Sequence, residues 1–270
     1  MIAKFARLEF ELFTTPSNKI QIRERLMKKI IAAIQFITVI PLGKPGTYDP
    51  TGMIAFFPFV GLLLGGIVSV FDLVILNIWS PVTASLLDVI LLIMLTGALH
   101  IDGLADTADG LYGNRPREKA LAIMKDSRVG AMGLVAVFCG LSVKWAGLAE
   151  ISVHRSLLLL IIPVYARSSM LFGIRFLEYG RPGGGTGHGV FTEKLAARSF
   201  WGLVIPVTLS FFLGWSAVVL NLGFAVIVMC TLGFYRRRIG CITGDMLGAL
   251  TEVTEAGLFL LAAAGGMAGY

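Results

Sequence analysis

Residues 83–111 read TASLLDVILLIMLTGAL (Thr83–Leu99) followed directly by HIDGLADTADGL (His100–Leu111), an apolar run that stops at an imidazole and three carboxylates. The run is membrane-like in length and composition and is read as a bilayer span. Asp102, Asp106 and Asp109 stand i, i+4, i+7, so at roughly 100° per residue they share an arc of about 60° on one helix face. Neither lysine nor arginine occurs between His100 and Asn114. These like charges therefore lack a local counter-ion, and they repel one another unless a divalent cation or a distant basic group neutralises them.

Outward from this stretch, the whole chain is apolar. Of 270 residues, 56% are hydrophobic and 15% charged, with a mean hydropathy of +0.81, which excludes an ordinary soluble domain. The fold class expected is all-α, a polytopic membrane helix bundle. Candidate spans are Gly52–Trp79, Thr83–Leu99, Met132–Glu150, Leu157–Ile174, Phe200–Leu220, Leu222–Tyr235 and Ala256–Tyr270. Leu222–Tyr235 and Ala256–Tyr270 are shorter than the roughly 20 residues normally needed to cross, so the count stands at six or seven. Residues 1–41 are expected to form an interfacial N-terminal segment and 42–270 a single transmembrane catalytic domain. The basic, apolar mixture of Met1–Lys29 fits an amphipathic helix on the membrane surface, with a disordered leader as the alternative; it lacks the apolar core and cleavage site of a signal peptide.

With seven spans and the N-terminus inside, 20 of the 23 Lys and Arg fall in inside segments. The positive-inside rule then makes this a multi-pass protein of the cytoplasmic membrane whose acidic run faces the cytoplasm. The net charge of +6 is explained by insertion topology. No basic stripe interleaved with aromatics accompanies it, so nucleic acid is not expected as a partner. Arg155 falls in an outside loop, and Lys144 and Arg167 inside spans. The three cysteines, Cys139, Cys230 and Cys241, form no zinc or disulfide pattern.

Three inside segments, 100–130, 175–199 and 236–255, are too long and polar for simple turns. The first contains Asp126-Ser127-Arg128-Val129-Gly130-Ala131, in which Arg128 is suited to a phosphate and the small residues let backbone N–H groups approach an anion. The alternative is that Asp126 and Arg128 merely anchor a helix end. The third reads CITGDMLGALTEVTE (Cys241–Glu255), where Asp245, Glu252 and Glu255 share an arc of about 80°. Together the two acidic faces could hold one or two Mg2+ ions. Lys144 and Arg167 are costly at membrane depth and are read as pointing inward, either to substrate phosphate or to the carboxylates. Asp72 and Asp88 are read as structural. The glycine-rich stretch 183–189 is either a cover over a phosphate-bearing substrate or a mobile connector.

Five stretches together, FITVIP (Phe36–Pro41), FPFVG (Phe57–Gly61), the His100–Leu111 block, DSRVGA (Asp126–Ala131) and TGDMLGA (Thr243–Ala249), resemble cobalamin synthase, the adenosylcobinamide-GDP ribazoletransferase family. The resemblance covers about residues 27–260 and leaves the first 26 as an extension. It implies an integral membrane enzyme using Mg2+, with adenosylcobinamide-GDP and alpha-ribazole or its 5'-phosphate as substrates. GMP would leave, and adenosylcobalamin or its 5'-phosphate would form. On that basis Asp102, Asp106, Asp109, Asp245 and Glu252 are the metal candidates; Asp126, Arg128, Lys144, Arg167 and Thr243 are the substrate-binding candidates. The general base is Asp109 or His100. On a continuous helix His100 points about 160° away from Asp102, which leaves a second role open, that of orienting a ligand. A homo-oligomer also stays open. The rival reading is a cation- or proton-coupled transporter, whose carboxylates should lie near mid-membrane rather than at span ends.

Overall fold

The computed structural model describes residues 16–43, 50–181, 188–191 and 195–264. The helices are α1 (Pro16–Ile37), α2 (Pro50–Ile54), α3 (Phe57–Ile75), α4 (Pro81–Leu95), α5 (Leu99–Leu111), α6 (Arg117–Ile123), α7 (Ala131–Glu150) and α8 (Arg155–Phe176). Three 3-10 and α segments then run end to end, Ala197–Leu203, α9 (Val204–Ser210) and Phe211–Leu213, before α10 (Ser216–Arg238) and α11 (Gly244–Ala264). No strand occurs among the described residues; a single parallel bridge joins Tyr179 to Ile242.

Burial falls on two helices. α8 and α11 form the centre of the bundle, with α3 packed along α8 and with α5, α7 and α10 around α11. In a bilayer no hydrophobic force drives helices together, so close backbone approach at small residues does that work. Gly61 and Gly65 of α3, four apart on one face, show it: a Cβ at Gly61 would strike the backbone of Pro163 and Val164, and one at Gly65 the carbonyls of Leu159 and Leu160. Gly65→Ala is accordingly expected to destabilise the protein by about 1–3 kcal/mol. Gly66→Ala should change little, because a Cβ there meets only the Leu160 side chain at 3.8 Å. Thermal unfolding in detergent distinguishes the two.

Five helices, α3, α7, α8, α10 and α11, are long and apolar enough to cross a membrane, and a sixth span results if α4 and α5 count as one broken span. The expected Phe200–Leu220 and Leu222–Tyr235 are partitioned differently. The break lies at Gly214, whose φ of 60° ends the Ala197–Leu213 helix, and α10 then runs without interruption through Asn221. Asn221 does not interrupt the helix because its amide is fully engaged: Nδ2 donates to Ala217 O and Ser210 Oγ, and Oδ1 accepts from Tyr165 OH. The C-terminal span likewise begins twelve residues before Ala256, at Gly244, so most of the expected inside segment 236–255 is membrane-length helix.

The stretch 83–111 is not one rod. Gly97 and Ala98 both take left-handed backbone, each with a φ of 58°, and α5 leaves α4 at 89°. Val39, just after α1, donates its N–H to Leu95 O at the end of α4, tying the bend to the N-terminal helix. At the opposite end of α4, Arg155 is not in a solvated loop. It starts α8 and is buried, with Nε on Asp72 and Nη2 on Asp72, Asp88 and Ser85 at 2.8–3.1 Å. A desolvated guanidinium needs such partners, and Asp72 and Asp88 supply them from α3 and α4.

Candidate active site

The site grows from a crossing of two helices. A Cβ on Gly103 of α5 would meet Asp245 O at 2.5 Å, and one on Gly248 of α11 would meet His100 Cα at 3.2 Å. The absence of both side chains lets α5 and α11 touch through backbone, so the α5 aspartates are carried to the start of α11. Thr243 fixes that start: its Oγ1 accepts from Met246 N at 3.3 Å, the bond expected of a helix N-cap. Asp245 lies in the first turn beyond it.

Of the charged groups that act on Asp106, three are carboxylates, Asp102, Asp245 and Asp109, and one is the cation Arg181. Arg181 is brought in by the bridge noted above. Ile242 N donates to Glu178 O at 2.9 Å and Gly180 N to Ile242 O at 2.8 Å, after which Arg181 Nη2 reaches Asp245 Oδ2 at 2.7 Å. Arg181 is not among the sequence candidates, and its one signal is its place just before the glycine-rich stretch. Residues 183–187 of that stretch, and Pro182 before it, lie outside the described residues.

His100, Asp102 and Asp245 border one cavity of about 80 Å³, walled by Phe57, Met170 and Phe191. The opposite helical phase of His100 and Asp102 does not separate them, because both sit in the first turn of α5, where the cavity wraps the helix end. His100 is 1% exposed, and neither ring nitrogen has a hydrogen-bond partner among the described residues. Such a group is usually explained by a water or ligand that completes it.

The remaining sequence candidates are placed elsewhere. Asp109 has both carboxylate oxygens on the start of α7, accepting from Gly130 N at 2.7 Å and Gly133 N at 2.8 Å. The anion at that helix N-terminus is thus Asp109 itself, and a Cβ on either glycine would collide with its carboxylate. Glu252, Lys144 and Arg167 engage one another deeper in the bundle. Lys144 Nζ lies 2.5 Å from Glu252 Oε2 and 2.8 Å from Glu255 Oε2, and Arg167 Nη1 holds Glu255 Oε1. Of the two sequence readings for Lys144 and Arg167, pairing with carboxylates is the one the geometry displays, and Glu252 is not brought to Asp102, Asp106 and Asp245. Arg128 is exposed and forks onto Asp126, whose carboxyl is held down at about 2 by those hydrogen bonds. Burial raises Tyr179, in the loop beside the site, above the usual phenol value.

Among the described residues no group of three His, Cys, Asp or Glu is close enough to form a ready metal cage. That geometry still fits Mg2+, which prefers oxygen ligands, keeps several waters and takes only one or two carboxylates alongside substrate phosphates. Asp102, Asp106 and Asp245 offer oxygen alone and an excess of negative charge, a poor match to zinc or copper.

Several helices of membrane length, with a carboxylate-rich polar site where the short α5 crosses the start of α11, define an integral membrane protein with its candidate chemistry at one end of the bundle. A family model for cobalamin-5-phosphate synthase matches residues 29–264. The chain belongs to that family. It is similar to the adenosylcobinamide-GDP ribazoletransferases of Acetivibrio thermocellus (33% identical, covering 88% of this chain and 98% of the relative) and of Caldanaerobacter subterraneus subsp. tengcongensis (37%, covering 85% and 95%). The enzyme of that name from Chlorobaculum tepidum is 32% identical, with 88% and 96% covered. No solved structure matches the chain.

Proposed function

We propose that the protein joins alpha-ribazole, or its 5'-phosphate, to adenosylcobinamide-GDP and releases GMP. The ribazole hydroxyl oxygen forms a bond to the cobinamide-linked phosphorus. The bond from that phosphorus to the bridging oxygen breaks, GMP leaves with the electron pair, and the hydroxyl proton passes to a base. The observation that carries this reading is the α5–α11 crossing, which gathers Asp102, Asp106 and Asp245 in a chain whose family and relatives carry this activity in their names.

Asp102, Asp106 and Asp245 would hold Mg2+, which when bound neutralises phosphate oxygens during transfer. Arg181 restrains Asp245 and adds positive charge beside it. With Asp109 occupied by two backbone N–H groups, His100 is the better placed acceptor for the hydroxyl proton, since it borders the same cavity and neither ring nitrogen has a partner among the described residues. Arg128 can exchange Asp126 for a phosphate, because the pair is exposed and such pairs are weak. Residues 42–270 form the catalytic domain in the cytoplasmic membrane, with the site facing the cytoplasm, a side supported by the distribution of Lys and Arg.

Purified protein in detergent is expected to release GMP from adenosylcobinamide-GDP only with both Mg2+ and alpha-ribazole or its phosphate present. No release with substrates that a relative turns over would sink the assignment.

A further inference from the structure

A second cavity, about 420 Å³, opens beside the aspartate site and is lined in part by Arg175, Phe176, Glu178, Tyr179 and Phe191. Phe191 borders both cavities. The place is built by the chain's exit from α8: Leu177 turns to extended backbone, and residues 178–180 are pinned to Ile242 by the two backbone hydrogen bonds that also deliver Arg181 to Asp245. The Tyr179 and Phe191 rings stack with centroids 4.8 Å apart and planes 25° from parallel. The Arg175 guanidinium lies 5.7 Å from the centre of the Phe176 ring.

Glu178 is what gives this cavity a chemical preference. Its backbone is used by Ile242, but its carboxylate is exposed and has no hydrogen-bond partner among the described residues. Aromatic walls favour a flat ring. A free carboxylate on such a wall accepts two parallel N–H bonds from a ring edge that offers adjacent donors, the strong charge-assisted arrangement. Among purine edges, guanine offers such a pair, N1–H beside the 2-amino group, whereas hypoxanthine keeps N1–H alone and adenine presents a bare N1 acceptor beside its amino group. Arg175 lines this cavity and Arg181, three residues past Glu178, holds Asp245, so the segment that builds the cavity carries two cations of the sign needed for a phosphate chain.

We propose that this cavity is a guanine-nucleotide pocket, with Glu178 reading the N1–H and 2-amino edge and the Tyr179–Phe191 pair forming the ring platform. The inference rests on the transferase reading above, in which a GDP-linked substrate brings its diphosphate to the aspartates, and it assigns to Glu178 the choice of base.

The test is equilibrium dialysis of the full chain in detergent against GMP, IMP and AMP. Wild-type protein is expected to bind GMP about ten-fold or more tightly than IMP, as loss of one hydrogen bond to a charged group implies, and AMP more weakly still. Glu178→Gln should erase the preference of GMP over IMP, and Tyr179→Leu should weaken all three alike. Equal binding of GMP and IMP by the wild type, absence of GMP binding, or an unchanged preference in Glu178→Gln would overturn the proposal. Turnover without a guanine preference removes this pocket and leaves the transferase reading. A guanine preference in a protein that never releases GMP does the reverse.

Discussion

Asp106→Asn is expected to lower turnover about a thousand-fold, the scale of losing a principal electrostatic contributor to transfer, while the protein melts at or above the wild-type temperature. Asp106 is only partly buried and its side chain makes no hydrogen bond among the described residues, so the near-isosteric asparagine removes none. It also relieves repulsion from Asp102, Asp245 and Asp109. The same balance predicts a further signature: Mg2+ should raise the melting temperature of the wild type, because binding to the folded state alone adds stability, and this rise should shrink in the variant. Near-normal turnover in a folded Asp106→Asn protein would show that the acidic crossing is not where phosphate is transferred.

Glu255→Ala should have the largest effect on stability. The substitution strips Arg167 of its carboxylate and leaves Lys144 with Glu252 alone, inside a bundle where Lys144 and Arg167 are each 1% exposed. Breaking one partner of a buried charge group costs about 3–5 kcal/mol. Removing an exposed partner, as in Asp126→Asn, should leave the melting temperature nearly unchanged, because water screens the pair. Yield of folded protein and melting in detergent compare them. An unchanged melting temperature for Glu255→Ala would mean that Lys144 and Arg167 are not held by this network and are free to meet a substrate.

The difference between these two carboxylate groups also marks how far sequence reading reaches. Apolar segments and the i, i+4, i+7 face of α5 are local patterns, so the all-helical membrane bundle and its densest acidic site were legible from one stretch. Glu252 looked suitable as a further ligand because its partner, Lys144, lies 108 residues away. Asp109 looked identical to Asp106, yet it belongs to the start of α7, 21 residues on. Only the glycines at 130 and 133 carried a trace of that, and they were equally compatible with an exogenous anion. Span boundaries failed for a related reason. Asn221 carries a break-forming side chain that tertiary partners satisfy, whereas the break at Gly214 depends on a backbone conformation inside an apolar run. Arg155 lay beyond reach because its two aspartates come from α3 and α4.

The right-angled bend after α4 places the chemistry at a particular depth. A helix of 15 residues rises about 22 Å, roughly 8 Å less than the hydrocarbon core it would have to cross, and there the chain turns sideways into α5. The acidic helix is thus the crosswise half of a broken span. Its length answers to the packing of Gly103 on α11 rather than to the thickness of a bilayer.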